Sequence, residues 1–456
     1  MLKTDKKTSS IDMTRGPLMW PLVRFILPVI GGSLFQQLYN TVDFVFVGNF
    51  MDKTAAAAVG ASATLTYITV GMFLGISAGC NVVAAQAIGE KDHRRAEEVL
   101  HTSVSFGVIA GVIVMLLGIL LAPPILAVLH TPESAIPQAV RYLRIYLLSL
   151  PMAVFYNMVS GCMRAEGDSR SPFLVLASCG LLNVALDALF VVGLRWGVEG
   201  TAAATVLAQG ASAVLVGLMA CGKTRAMRLQ LQKLRIHREV LHRILFIGLP
   251  TGVQTTVITI SNIIFQYFIN GYGETAVAAF ATYYKVENLV YLAILAFGQA
   301  AISFAGQNVG AGNIRRLRKG ILFIAVLGAV VSEIGAMSIL VFSQTVFRWF
   351  MKDPEVIAVA VELAALSFPF YFIYPFQEVY SAAVRAMGYA FHSLAAIVVN
   401  QCILRIVLLA LFTGIFHTVR SLATVYPITW ATAAATYVAL FYLLLRQPYC
   451  EKSSRD

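Results

Sequence analysis

Apolar residues run through this chain in long continuous stretches separated by short polar breaks. The stretches fall at about 21–47, 55–80, 99–122, 142–163, 172–193, 201–221, 244–269, 277–300, 320–342, 361–383, 393–415 and 423–445. Each has roughly the length of a helix that crosses the hydrocarbon core of a bilayer. The runs are continuous rather than alternating, so helices are predicted and not barrel strands, because a span in lipid must satisfy its own backbone. The pattern predicts an all-α integral membrane protein with twelve transmembrane helices.

An internal repeat organises these spans. Gln86-Ala87-Ile88-Gly89, followed by Arg94-Arg95, matches Gln307-Asn308-Val309-Gly310, followed by Arg315-Arg316, at an offset of 221 residues. The same offset carries Arg164-Ala165-Glu166-Gly167 onto Arg385-Ala386-Met387-Gly388, and Asn49 onto Asn270. Residues 1–220 and 244–456 therefore read as two pseudo-symmetric six-helix lobes. An even number of spans per lobe gives both the same orientation, an arrangement suited to alternating access around a central site. Residues 221–243 read as a cytoplasmic linker. They mix leucines with basic residues, so a short interfacial helix and a solvated connection both fit.

Composition narrows the class. Charged residues make up 12% of the 456 residues, hydrophobic ones 58%, and the mean hydropathy is +0.76. No polar stretch is long enough for a soluble catalytic domain or a nucleotide-binding cassette. The net charge of +11 is unevenly placed. With twelve spans, 25 Lys and Arg lie on the side of the termini and seven on the other. That bias predicts cytoplasmic termini, a multi-pass plasma-membrane protein and no nucleic-acid partner. The first apolar run is too long for the core of a cleaved signal. The six cysteines form no CxxC pair and the seven histidines no cluster, so packing roles are expected and neither a cofactor nor a resident metal. No phosphate-binding, zinc-protease or nucleophile-elbow motif occurs.

Ionisable groups within the spans carry the candidate chemistry, since each is costly there unless paired or hydrated. Gln36, Tyr39, Asn40 and Asp43 share one helical stripe. Asn183 stands one turn before Asp187, and Thr205 lies in the next span. A carboxyl group in an apolar cavity can change protonation near neutral pH, which a proton-coupled site requires. The oxygens of Asp43, Asn183, Asp187 and Thr205 suit a sodium ion as well. The repeat partners of the two aspartates, Ile264 and Leu408, are apolar. The second lobe instead holds Lys285, Glu287, Glu378 and Arg405 as a possible polar site, with Glu287 or Glu378 as a partner for Arg405. Pro28, Pro151, Pro250, Pro369 and Pro375 lie in or near spans and can bend them.

These features together resemble the multidrug and toxic compound extrusion (MATE) family. The resemblance rests on the twelve spans in two lobes, on Gln86 to Arg95 and Gln307 to Arg316, and on Arg164-Ala165-Glu166-Gly167-Asp168. The stretch from Gln36 to Asp43 is similar to the first helix of its prokaryotic, DNA-damage-inducible-type branch. The resemblance implies a secondary transporter, complete as a monomer in membrane lipid. It would export organic cations or amphipathic compounds in exchange for protons or sodium. It also implies roles for Asp43, Asn183 and Asp187, with Gln36, Tyr39 and Thr205 around the same cavity. Another branch uses acids in the seventh and tenth helices; this chain has none in the seventh, though Glu378 lies in the tenth. A flippase for lipids or lipid-linked precursors would need a wide basic groove, and only Lys285 and Arg405 are on hand. A membrane enzyme would need a catalytic cluster at one face, and a channel would need equal polarity in both lobes. The reading is therefore a proton-coupled exporter, with a sodium-coupled exporter or a flippase for lipids or lipid-linked precursors as the alternatives.

Overall fold

The computed structural model describes residues 10–51, 53–128, 131–222 and 226–446, and these are helical, with no strand among them. The first half comprises α1 (Met19–Phe50), α2 (Lys53–Gly89), α3 (His93–Val128), α4 (Ile136–Leu147), α5 (Leu150–Ala165), α6 (Arg170–Asp187) and α7 (Val198–Ala220). The second comprises α8 (Arg238–Asn270), α9 (Glu274–Gly310), α10 (Ile314–Val341), α11 (Ser343–Arg348), α12 (Pro354–Ser367), α13 (Tyr374–Ala386), α14 (Ala390–Ile397), α15 (Arg405–Phe416) and α16 (Val419–Leu444). Eleven helical stretches among the described residues are long and apolar enough to cross a membrane. The count is twelve if α4 and α5, bent by 40° at their junction, form one span. The exposed residues agree with a lipid surround. On α3, Ile109, Ile113, Leu116, Leu117, Leu120 and Leu121 are all exposed, a patch that water would not tolerate.

Local chemistry sets the helix boundaries. Asp353 caps α12 by accepting the Glu355 N–H at 2.9 Å, with Pro354 in the first turn. Asp168, from the repeated motif, accepts the backbone N–H of Ser171 at 3.0 Å and its hydroxyl at 2.6 Å, fixing the start of α6. The prolines divide into two groups. Pro28 and Pro250 lie inside α1 and α8. Pro151 sits in the first turn of α5, Pro369 in the 3₁₀ stretch Phe368–Ile373, and Pro375 in the first turn of α13. The latter three sit where one helical stretch ends and the next begins, positions at which a proline is tolerated.

The chain packs as two compact units. The first is Met1–Asp12 with Leu27–Gly252, and the second is Met13–Ile26 with Val253–Asp456. Two of the three divisions fall within α1 and α8, beside Pro28 and Pro250, and the third, between Asp12 and Met13, precedes α1. The lobes read from the repeat thus describe chain symmetry, while the units describe packing.

In the first unit, α2 meets the start of α8 through facing glycines. A Cβ on Gly75 would lie 2.2 Å from the Gly252 nitrogen, and one on Gly79 would lie 2.5 Å from the Ile244 carbonyl oxygen. Gly75/Gly79 and Gly248/Gly252 are both small-xxx-small pairs that let backbones touch. The connecting segment before α8 folds onto the same unit. Apart from a 3₁₀ turn at Leu231–Lys233 its described part before Arg238 is not helical, and Met227 and Leu229 are buried. Side chains take up its backbone groups. Glu166 accepts the Met227 N–H. His101 Nε2 accepts the Gln230 N–H at 3.1 Å, and Thr102 Oγ1 accepts the His237 N–H at 3.1 Å. These bonds replace the helix that would otherwise satisfy that backbone.

The core of the second unit is aromatic. Phe265, Phe280, Tyr283, Phe368, Tyr371 and Trp430 are buried together with the apolar faces of α9, α12 and α16. Tyr371 stands edge-on to Trp430 with centroids 5.0 Å apart, a favoured geometry for such pairs.

Candidate functional site

In the first unit the site is built on α6. Asn183 and Asp187 point inward one turn apart and are 2% and 0% exposed. Neither polar atom of the Asn183 amide has a hydrogen-bond partner among the described residues. A buried, unsatisfied amide is costly, which makes this pair the candidate polar site of the first unit. The backbone changes at the same point: directly after Asp187 the chain winds into a π-helical turn, Ala188–Gly193, a feature frequent at functional sites.

Neighbouring helices complete this region. Thr205, half-buried on α7, donates to the Thr201 carbonyl at 3.0 Å, which leaves its oxygen lone pairs as acceptors. α1 lies against the start of α6, where a Cβ on Gly31 would come 3.0 Å from Phe173. Phe35 packs edge-on against the same ring, at 6.0 Å. Gln36 is exposed on α1. Tyr39, Asn40 and Asp43 belong to the helical stretch of α1, and their side chains lie outside the described residues.

The second unit carries a larger buried polar network than the sequence led us to expect. Glu378 pairs with Arg385 at 3.4 Å. Arg385 also donates to Gln254 Oε1 at 2.7 Å and Ser381 Oγ at 2.9 Å, and Gln254 donates to the Tyr437 hydroxyl at 3.0 Å. Gly298 makes room for the acid: a Cβ there would come 2.5 Å from Glu378 Oε1. Arg405 has different partners. It donates to Asn262 Oδ1 at 3.1 Å, to Ser261 and to Gln401, and lies 5.3 Å over the Tyr426 ring. Glu287 accepts the Tyr371 hydroxyl at 2.6 Å, and Lys285 is exposed.

Of the two acids expected to partner Arg405, Glu378 is corrected, since it takes Arg385. Glu287 hydrogen-bonds Tyr371 and lies within electrostatic reach of Arg405, which is otherwise held by amides, a hydroxyl and an aromatic face. Arg385 escaped notice because the repeated motif placed it in a loop, whereas α13 runs to Ala386. Its spacing of seven from Glu378 puts both on one helical face, a signal the sequence does carry. Gln254, Gln377, Asn400 and Gln401, all buried, were likewise not singled out. Amides within apolar runs were the available sign.

Comparison with known proteins places this architecture. The family model for MatE matches residues 28–189 and again residues 250–411. The two matches repeat at nearly the spacing of the motif offset. The chain is 30% identical over 412 residues to the probable multidrug resistance protein YpnP of Bacillus subtilis, covering 88% of this chain and 90% of that protein. It is 27% identical over 382 residues to the probable multidrug resistance protein YoeA of the same organism, covering 82% of each. Its fold is similar to the outward-facing structure of a multidrug resistance MATE family transporter of the MOP superfamily. The TM-score is 0.91 at 23% identity, over 97% of this chain and 99% of that one. The chain belongs to the MatE family, whose members are membrane transporters and not enzymes.

Proposed function

We propose that the protein is a secondary active exporter that moves organic cations or amphipathic compounds out of the cell in exchange for protons. The observation that carries this reading is the buried Asn183–Asp187 pair beside the π-helical turn of α6. Protonation of Asp187, with Asp43 as its partner carboxyl, would change the charge of the first-lobe cavity and bias the protein toward one of two states. Coupling then follows from a difference in proton affinity between those states. The membrane-spanning helices and the 25-to-7 distribution of basic residues support a plasma-membrane protein with both termini and residues 221–243 in the cytoplasm. The two matches to the family model support lobes at 1–220 and 244–456. On this reading the exporter works as a monomer in membrane lipid, with both lobes of the repeat on one chain.

Sodium coupling is the second reading. Asn183 Oδ1, the Asp187 oxygens and the Thr205 hydroxyl are the hard oxygen donors a small cation prefers. Transport into or out of proteoliposomes, with pH and sodium gradients imposed one at a time on a fluorescent cation, separates the two. Efflux that follows the pH gradient without sodium supports proton exchange. Efflux that follows only sodium replaces the proton and keeps the exporter.

A further inference from the structure

The repeated motif has no part in the ion site, yet it makes one of the densest polar contacts in the second unit. Residues 13–16, just before α1, are enclosed by its second copy. The Met13 N–H donates to Gln307 Oε1 at 3.0 Å, and Asn308 Nδ2 donates to the Met13 carbonyl at 3.2 Å. Gln307, Asn308 and Met13 are all buried. Arg316 then gathers three backbone carbonyls on one guanidinium: Met13 at 2.9 Å, Arg15 at 2.9 Å and Gly16 at 2.7 Å. Gly16 has φ +73°, a turn that favours glycine and lets those carbonyls converge. Asn313 Nδ2 adds the Thr14 carbonyl at 3.4 Å.

The first copy of the motif serves its own lobe differently. Gln86 accepts from Arg243 of α8 at 3.1 Å, while Arg95 pairs with Glu90 at 3.6 Å. The first copy thus meets the side chain of an α8 residue, whereas the second grips the backbone that precedes α1. A planar fork with five donors suits three carbonyls, and lysine could not make the same set.

We propose that Arg316, backed by Gln307 and Asn308, is a positioning residue that anchors the start of α1 throughout the transport cycle. Movement of α1 beyond Pro28 is then a bend against a fixed end and not a free swing. The consequence for transport rests on the exporter reading, whereas the anchoring itself does not. Met13–Ile26 packs with the second unit and α1 continues in the first from Leu27. Loosening an end tied in this way would lower turnover more than substrate binding.

The test has one readout that does not depend on transport. A spin label at Trp20, which is 68% exposed, reports the anchored end of α1, and one at Leu34 reports the helix beyond Pro28. In a background without native cysteines, Arg316→Gln should raise label mobility at Trp20 with the thermal midpoint unchanged. In transport it should lower the maximal rate about tenfold and leave KM within about twofold. A Thr14→Cys/Asn313→Cys disulfide in the Arg316→Gln protein should restore rate and immobility when oxidised, and lose both on reduction. If Arg316→Gln does not reach the membrane, Arg316→Lys enters the same comparison. An immobile label at Trp20 in either variant would overturn the anchor. So would loss of transport when the disulfide is closed in otherwise unaltered protein, since the segment would then have to move. Failure of the unaltered protein to transport any cation would count against the exporter and leave the spin-label result standing.

Discussion

Asn183 stands one helical turn before Asp187 on α6, and the two side chains are closed off from the surface at 2% and 0% exposure. An amide without a described partner beside a carboxyl group is a poor choice for stability and a good one for an exchangeable ion. The two substitutions that follow separate those roles. Asp187→Asn keeps volume and removes the carboxyl group, so on the proposed coupling gradient-driven efflux should vanish with membrane expression retained. Asn183→Leu should leave stability equal or improve it by about 1 kcal/mol, because an unsatisfied buried amide is removed, while efflux falls. Melting curves and efflux rates measured on the same preparations check both. A destabilised Asn183→Leu protein would mean that the amide is structural.

The Glu378–Arg385 contact leads to a different kind of loss. Arg385→Met strands Glu378 and the Gln254 carbonyl oxygen together; because Glu378 is partly exposed, the loss should fall below the about 3–5 kcal/mol of a fully buried pair broken from one side. Glu378→Gln keeps an acceptor for Arg385 and should cost less. Thermal unfolding in detergent should rank Arg385→Met well below Glu378→Gln. Equal midpoints would show that the pair adds little.

Much of this was legible in the chain, for physical reasons. Apolar runs of bilayer length are the strongest pattern a sequence can carry, so the helical spans could be read with little ambiguity. Asn183 and Asp187 were legible because a spacing of four fixes one face of a helix. The connecting segment was not: nothing in its residues shows that His101, Thr102 and Glu166, more than sixty residues earlier, take over its backbone bonds. The partner of Glu378 is Arg385, seven residues on along the same helical face, and not the Arg405 expected from the sequence. Asp43, on which the reading also draws, lies outside the described side chains.

The glycine contact between α2 and α8 gives a prediction with an internal control. Gly75→Ala places a methyl group 2.2 Å from the Gly252 nitrogen, and the backbones must part, at a cost of about 1–3 kcal/mol. Gly60 lies in the same helix with nothing within 4 Å. Gly60→Ala should be neutral or stabilising by up to about 1 kcal/mol. Thermal midpoints of the two variants should move in opposite directions or differ clearly. Matching midpoints would remove the close helix contact.

The linker contacts predict protection. With His101 and Thr102 both holding backbone N–H groups, trypsin should cut slowly at Arg228 and Lys233. The double substitution His101→Ala/Thr102→Val should speed that cleavage several-fold without unfolding the helices. Unchanged cleavage would mean that burial of Met227 and Leu229 alone holds the segment.

Coupled export requires that a proton leave one side as substrate leaves the other, and that exchange can be measured directly. Proteoliposomes loaded with a pH-sensitive dye, at equal pH and without sodium, are given a gradient of a transported organic cation. Coupled exchange predicts a proton flux opposite to the cation, seen as a change of internal pH that scales with the gradient and disappears in Asp187→Asn. Cation movement with no change of internal pH, or an undiminished change in Asp187→Asn, would contradict it.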